Sequence, residues 1–269
     1  MSDNERHGRT IAVTSGKGGV GKTCLVANLA WALAHAGRRV LVLDADLGLA
    51  NLDIVLDLNP PNTLHDVLNG TCPLDDAVIT GPGGIHVIAA ASGTAEYARM
   101  TTELGENLPA LLAELQHRYD FVMIDTGAGI SDVVLYTQSL AQEVLVVATP
   151  EPTSLTDAYA TIKVMSTLHE RRHFLLVVNQ APSDRAASAL ADKLRRVVAR
   201  FLRKGERSAV ELTYLGGVRS DPAMTKSVCA QRLIMEAAPS SPAARGIRTL
   251  ADKLGGSSHA SRRAKVGNG

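Results

Sequence analysis

TIAVTSGKGGVGKTCLVANLAWAL, residues 10–33, switches from a strand-like to a helix-like apolar period across a glycine-rich loop. Thr10 to Ser15 is a β-branched run, and Leu25, Val26, Leu29 and Leu33 recur at helical spacing. Between them Gly16-Lys17-Gly18-Gly19-Val20-Gly21-Lys22-Thr23 fits G-x-x-x-x-G-K-[ST]. Strand, loop and helix in that order are the setting in which such a loop holds phosphate. The glycines let backbone N–H groups converge without Cβ clashes, and the helix N-terminus adds unpaired donors and a positive dipole end. Lys22 is placed to reach β and γ phosphates, and Thr23 offers a hydroxyl to Mg²⁺, a hard octahedral ion that takes few protein ligands. A glycine-rich turn without a ligand is the bland alternative, and the register of all three parts argues against it.

Further strands read outward from this unit: RVLVLDAD at 39–46, IHVIAA at 85–90, FVMID at 121–125, EVLVVATP at 143–150 and HFLLVVN at 173–179. Helical spacing separates them, as with Leu108, Leu111, Leu112 and Leu115 before FVMID. Continuous apolar strands alternating with helices predict an α/β fold, a doubly wound, mostly parallel sheet with helices on both faces. Ligands then sit at the strands' C-terminal ends. The expected organisation is a polar segment at 1–9, one ATPase-type domain at 10–254 and a basic tail at 255–269, GGSSHASRRAKVGNG, too poor in apolar surface to fold alone.

With 28 Lys and Arg against 27 Asp and Glu, no global field selects a nucleic acid, so DNA is not an expected partner. The opening MSDNERHGRT lacks a signal peptide's apolar core, and no later run reaches a membrane span, so a cytoplasmic protein is expected. Cys24, Cys72 and Cys229 form no paired motif, which disfavours a disulfide framework or an iron–sulfur site.

Asp44, Asp46 and Asp125 end two apolar strands, which puts three carboxylates at the edge beside the loop as candidates for metal and water. Capping of a following helix is the alternative, strongest for Asp44. Asn179 closes the strand HFLLVVN, where an amide either reads a base or forms a turn.

Lys17, a second lysine inside the loop, is superfluous in an ordinary P-loop. KGGVGKT resembles the deviant Walker A signature of the MinD/ParA family of SIMIBI-class P-loop NTPases. That resemblance implies a slow ATPase with ATP and Mg²⁺ as ligands and an ATP-dependent homodimer, in which Lys17 reaches the partner's nucleotide phosphates. Nucleotide contacts are implied for Gly16 through Cys24 and for Asn179, at an adenine edge. Catalytic roles are implied for Lys17, Lys22 and Asp46, the last positioning the attacking water. The metal set is Thr23, Asp125 through a water, and Asp46.

DADLGLANLDIVLDL (44–58), TLHDVLNG (63–70), SGTAEYARM (92–100), IDTGAGIS (124–131) and ATPEPTSLTDAYATIK (148–163) resemble the flagellar FlhG branch, also called FleN or YlxH. Similarity over residues 10–254 implies a regulator of flagellar number and placement. Its partners would be an FlhF-type GTPase, a basal-body C-ring component or a flagellar transcription activator. The alternatives are an ATP-gated module that inhibits the activator, and MinD/ParA-type positioning of a division site or chromosome. Only MSDNERHGR precedes the first strand, without the family's GTPase-stimulating extension. The last helical pattern, Ala243 to Leu254, is short for the family's membrane-anchoring helix, so peripheral attachment at the inner membrane face would fall partly to Arg262, Arg263 and Lys265. KLRRVVARFLRKGER, 193–207, reads as a sheet-covering helix with Leu194, Val197, Val198, Phe201 and Leu202 on its apolar face and a basic outer side.

Overall fold

The computed structural model describes residues 7–46, 51–90, 107–202 and 209–256. The first half runs β1 (Arg9–Thr14), α1 (Lys22–His35), β2 (Val40–Ala45), α2 (Leu52–Leu56), α3 (Leu64–Leu68), α4 (Leu74–Ala77), β3 (Ile79–Thr80), β4 (His86–Ile88) and α5 (107–118). The second half runs β5 (Phe121–Thr126), α6 (Asp132–Leu140), β6 (Glu143–Ala148), α7 (Pro152–Leu168), β7 (His173–Ala181), α8 (Asp184–Phe201), β8 (Glu211–Arg219), α9 (Pro222–Cys229), α10 (Ile234–Ala237) and α11 (Pro242–Gly256).

Among the described residues, eight strands form one sheet in the order β3-β4-β2-β5-β1-β6-β7-β8, with every pairing parallel except β3 with β4. Side chains alternate along β1: Ile11 and Val13 face α1, α2, α10 and α11, while Ala12 faces the layer of α3, α5, α6, α7 and α8. This alternation makes the sheet doubly wound, since both faces need apolar cover. Phe121 and Phe174 are fully buried, and each such side chain contributes about 1.5–3 kcal/mol of transfer free energy. Leu25, Val26, Leu29 and Leu33 on α1 and Leu108, Leu111, Leu112 and Leu115 on α5 are all buried, as their spacing predicts.

Strands β3 and β8 are additions to the sequence reading. The first spans two residues. The second, ELTYLGGVR, is broken by Gly216 and Gly217, residues that punctuate a strand pattern, and its pairing with β7 is irregular there. Phe201 is a correction: it ends α8 and is 63% exposed, with the Arg200 guanidinium 5.2 Å from its ring centroid. Among the described residues of that segment, Leu194, Val198 and Leu202 are buried and Val197 is half-buried. The basic tail from 257 onward, SGTAEYARM, Leu47 to Ala50, and Lys204 lie outside the described residues. No described helix is long and apolar enough to cross a membrane.

Candidate functional site

Strand β1 runs between β5 and β6 and delivers the glycine-rich loop to the sheet's C-terminal edge. The Ser15 hydroxyl donates to the Lys17 carbonyl at 2.8 Å, and the Gly129 N–H donates to the Ser15 carbonyl at 2.9 Å, joining the loop to the β5–α6 connection. Gly16 lies under the loop against α7, where any Cβ would overlap the backbone of Asp157. Gly21 starts α1 at φ 79°, a left-handed conformation, and a Cβ there would stand 2.7 Å from Asn179 Nδ2. Above the loop opens a cavity of about 550 Å³, lined by Lys17 through Cys24 and also by Asp46, Asn51, Gly127, Ala128 and Ser131.

Strand register sets the charges. Asp125 is level with Val13 on β1 and with Asp44 on β2, so two carboxylates stand side by side on neighbouring strands. The Lys22 side chain is 7% exposed, and its Nζ donates to Asp125 Oδ1 at 2.9 Å; the Asp125 side chain is 1% exposed. Burial pushes the Asp125 carboxyl upward, against the opposing pull of the Lys22 ammonium and the Thr23 hydroxyl. Asp44 is pushed up to about 7, first by burial and then by the Asp125 charge. Its oxygens accept from the Asp46 N–H at 2.9 Å and the Leu52 N–H at 3.3 Å, so it anchors the first residue of α2, close to the capping alternative. Asp46 is half-buried on the cavity wall, its carboxylate turned toward Gly127.

Lys17 and Lys22 take different partners. Its ammonium donates to the Glu151 carboxylate and, at 3.3 Å, to the Thr153 hydroxyl, both at the start of α7. Both lie in ATPEPTSLTDAYATIK, one of the stretches that carry the family resemblance, directly after β6 at the ligand-facing edge. Val20 turns its side chain into the core, leaving only its backbone to the loop, and its carbonyl accepts from Asn179 Nδ2 at 2.7 Å. Asn179 is buried behind Gly21, outside the cavity lining. Cys24 borders the cavity, and burial followed by the Asp125 charge raises its thiol pKa, which keeps it protonated. Among the described residues, no group of three His, Cys, Asp or Glu could by itself hold a metal ion. A hard cation would therefore need outside oxygens beside Thr23 and the carboxylates, as phosphate and water provide.

Comparison with known proteins places the chain in a family. Residues 6–255 match the ParA family profile described as NUBPL iron-transfer P-loop NTPase. The chain is 43% identical to antiactivator FleN of Pseudomonas aeruginosa over 246 residues, covering 91% of this chain and 86% of FleN. It is 30% identical to the flagellum site-determining protein YlxH of Helicobacter pylori, covering 94% and 83% respectively. Among solved structures, the septum site-determining protein MinD complexed with Mg-ADP from Pyrococcus horikoshii superposes with a TM-score of 0.76 at 27% identity, over 93% of this chain and 97% of that one. The chain thus belongs to the ParA/MinD family of P-loop NTPases, with FleN and YlxH among its relatives.

Proposed function

We propose that the chain is an ATP-hydrolysing switch that regulates flagellar number or placement, dimerising with ATP and reset by slow hydrolysis. The observation that carries this reading is the buried Lys22–Asp125 pair at the foot of the P-loop cavity. A desolvated ammonium beside a hydroxyl and a carboxylate, under a loop of converging N–H groups, suits the polyphosphate of a nucleotide. The similarity to FleN and YlxH supplies the flagellar part.

Backbone N–H groups from Gly16 to Thr23 hold the phosphates, and Lys22 leaves Asp125 for the β and γ oxygens. Thr23, with Asp125 acting through water, would hold Mg²⁺, which supplies positive charge opposite the phosphate oxygens. Asp46, on the cavity wall, orients the attacking water; positioning and electrostatics do most of the work in phosphoryl transfer. Lys17 exchanges Glu151 for the nucleotide of a second copy, which couples association to the bound nucleotide.

The word antiactivator in the FleN name favours one variant of this function, in which the ATP form inhibits a flagellar transcription activator and hydrolysis only ends the inhibition. Expression in P. aeruginosa lacking FleN tests both versions. Restoration of the normal flagellar number by the wild-type chain but not by Lys22→Ala supports the switch. Failure of the wild-type chain to change flagellar number contradicts the flagellar role. Restored flagellar number with Asp46→Ala selects the variant in which hydrolysis is dispensable.

A further inference from the structure

Three consecutive residues at the junction of β1 and the phosphate loop each accept a hydrogen bond from the segment that runs from β5 into α6. The Thr126 hydroxyl donates to the Val13 carbonyl at 3.0 Å, Gln138 Nε2 to the Thr14 hydroxyl oxygen at 2.7 Å, and the Gly129 N–H to the Ser15 carbonyl at 2.9 Å. Thr126 ends β5 and Gly129 follows it, so the pairing of β5 with β1 brings both to the junction. Gln138 arrives from inside α6, fully buried, and meets Thr14 side chain to side chain.

That bond leaves half of the amide unmatched. Gln138 Oε1 is buried without a hydrogen-bond partner among the described residues. Desolvating an acceptor in this way is unfavourable, and a leucine of similar volume would avoid it. Thr14 shares a face of β1 with Ala12, which belongs to the apolar cluster that also holds Leu135 of α6, so a leucine would be in apolar company. Packing alone gives no reason for a carboxamide at this position.

The cavity wall gives one. Gly127, Ala128 and Ser131 line the cavity just ahead of α6, and Val133 and Val134 of α6 line it with them. Val134 lies one turn before Gln138 on the same helical face. The position a Cβ on Gly127 would occupy is 3.1 Å from Val134 Cγ2 and 3.3 Å from Asp46 Oδ1, so Val134 and Asp46 close over the same face of Gly127. A shift of α6 against β1 therefore reaches Asp46, while the N–H groups of the phosphate loop stay between β1 and α1.

We propose that Gln138 is a positioning residue for ATP hydrolysis: its hydrogen bond to Thr14 sets α6 on β1, and thereby the place of Gly127 and Asp46 relative to the phosphates. This rests on the hydrolytic reading above, in which Asp46 orients the attacking water. Gln138 lies outside the cavity lining, so its loss alters turnover rather than binding.

The test is a cycle of Gln138→Leu, Thr14→Val and the double variant, read by steady-state phosphate release with Mg-ATP and by urea unfolding. Gln142→Leu is the control, because Gln142 accepts from the Thr10 N–H at 3.3 Å and ties the far end of α6 to β1 away from the cavity. Gln138→Leu should unfold at or above the wild-type urea midpoint, while kcat falls about tenfold and KM for ATP changes by less than about twofold. Thr14→Val should lose kcat to the same extent, and the double variant no further, because the two residues act as one unit. Thr14→Ser keeps the hydroxyl and should turn over like wild type. An unchanged kcat in Gln138→Leu, losses that multiply in the double variant, or an equal fall in Gln142→Leu overturns the role of Gln138 alone. If Gln138→Leu does not fold, the Thr14 variants decide: a lower kcat in Thr14→Val than in Thr14→Ser supports the role, and equal turnover overturns it. No phosphate release by wild type overturns the hydrolytic reading and this inference with it.

Discussion

Lys17 of the phosphate loop is ion-paired with Glu151 at the head of α7, across the rim of the cavity rather than into it. Both side chains are partly exposed, so the pair contributes at most about 1 kcal/mol to folding. Glu151→Gln should leave the urea midpoint almost unchanged. In the proposed switch it also removes a competitor for Lys17, so association with ATP should tighten by up to about fivefold. Sedimentation in an Asp46→Ala background measures this; weaker association would assign Glu151 to the dimer contact itself.

Lys22→Met leaves Asp125 buried without its cation, at a cost of about 3 kcal/mol for a broken buried pair. The upward push on Asp125 lets it take a proton and limits that loss at low pH. The double variant Lys22→Met with Asp125→Asn should recover most of the stability and none of the ATP binding. Chemical denaturation at pH 8 checks the first part, and a Lys22→Met as stable as wild type would refute it.

Gly16→Ala should destabilise by about 1–3 kcal/mol, because the new methyl meets the Asp157 backbone and no rotamer can avoid it. Near-wild-type thermal unfolding would mean that α7 moves aside freely.

At the N-terminus of α3 the Thr63 N–H and hydroxyl both donate to Asp66, each at 2.8 Å, which holds the Asp66 carboxyl below its ordinary value of 3.8. The unfolded chain therefore binds the proton more readily. The contribution is present above the unfolded value and is lost as pH falls through the lower folded one. Asp66→Asn should differ from wild type at pH 6 and converge with it at the acid end. Thr63→Ala should cost about 1 kcal/mol at neutral pH. A gap between wild type and Asp66→Asn that widens on acidification would contradict the assignment.

The loop GKGGVGKT and the strands beside it were legible because apolar period and glycine placement are local signals. Ile11 and Val13 are buried and Lys22 starts α1, as the quoted stretch implies. What escaped was set by distant pairing. Glu151 meets Lys17 only because β6 lies next to β1, a neighbour relation that no local pattern encodes. Gln180 looks like an ordinary residue past a strand, and its left-handed φ follows from the shift against β8, itself obscured by Gly216 and Gly217. Phe201 fits the helical stripe by spacing, yet α8 ends there and leaves its ring in solvent.

Light scattering during size exclusion of Asp46→Ala, with ATP and Mg²⁺ or with ADP, and repeated on the variant that also carries Lys17→Ala, tests the nucleotide-gated dimer most directly. A mass near twice that of the 28.4 kDa chain with ATP alone, falling to one chain when Lys17 is removed, is the expected result. A single chain under every condition would contradict it.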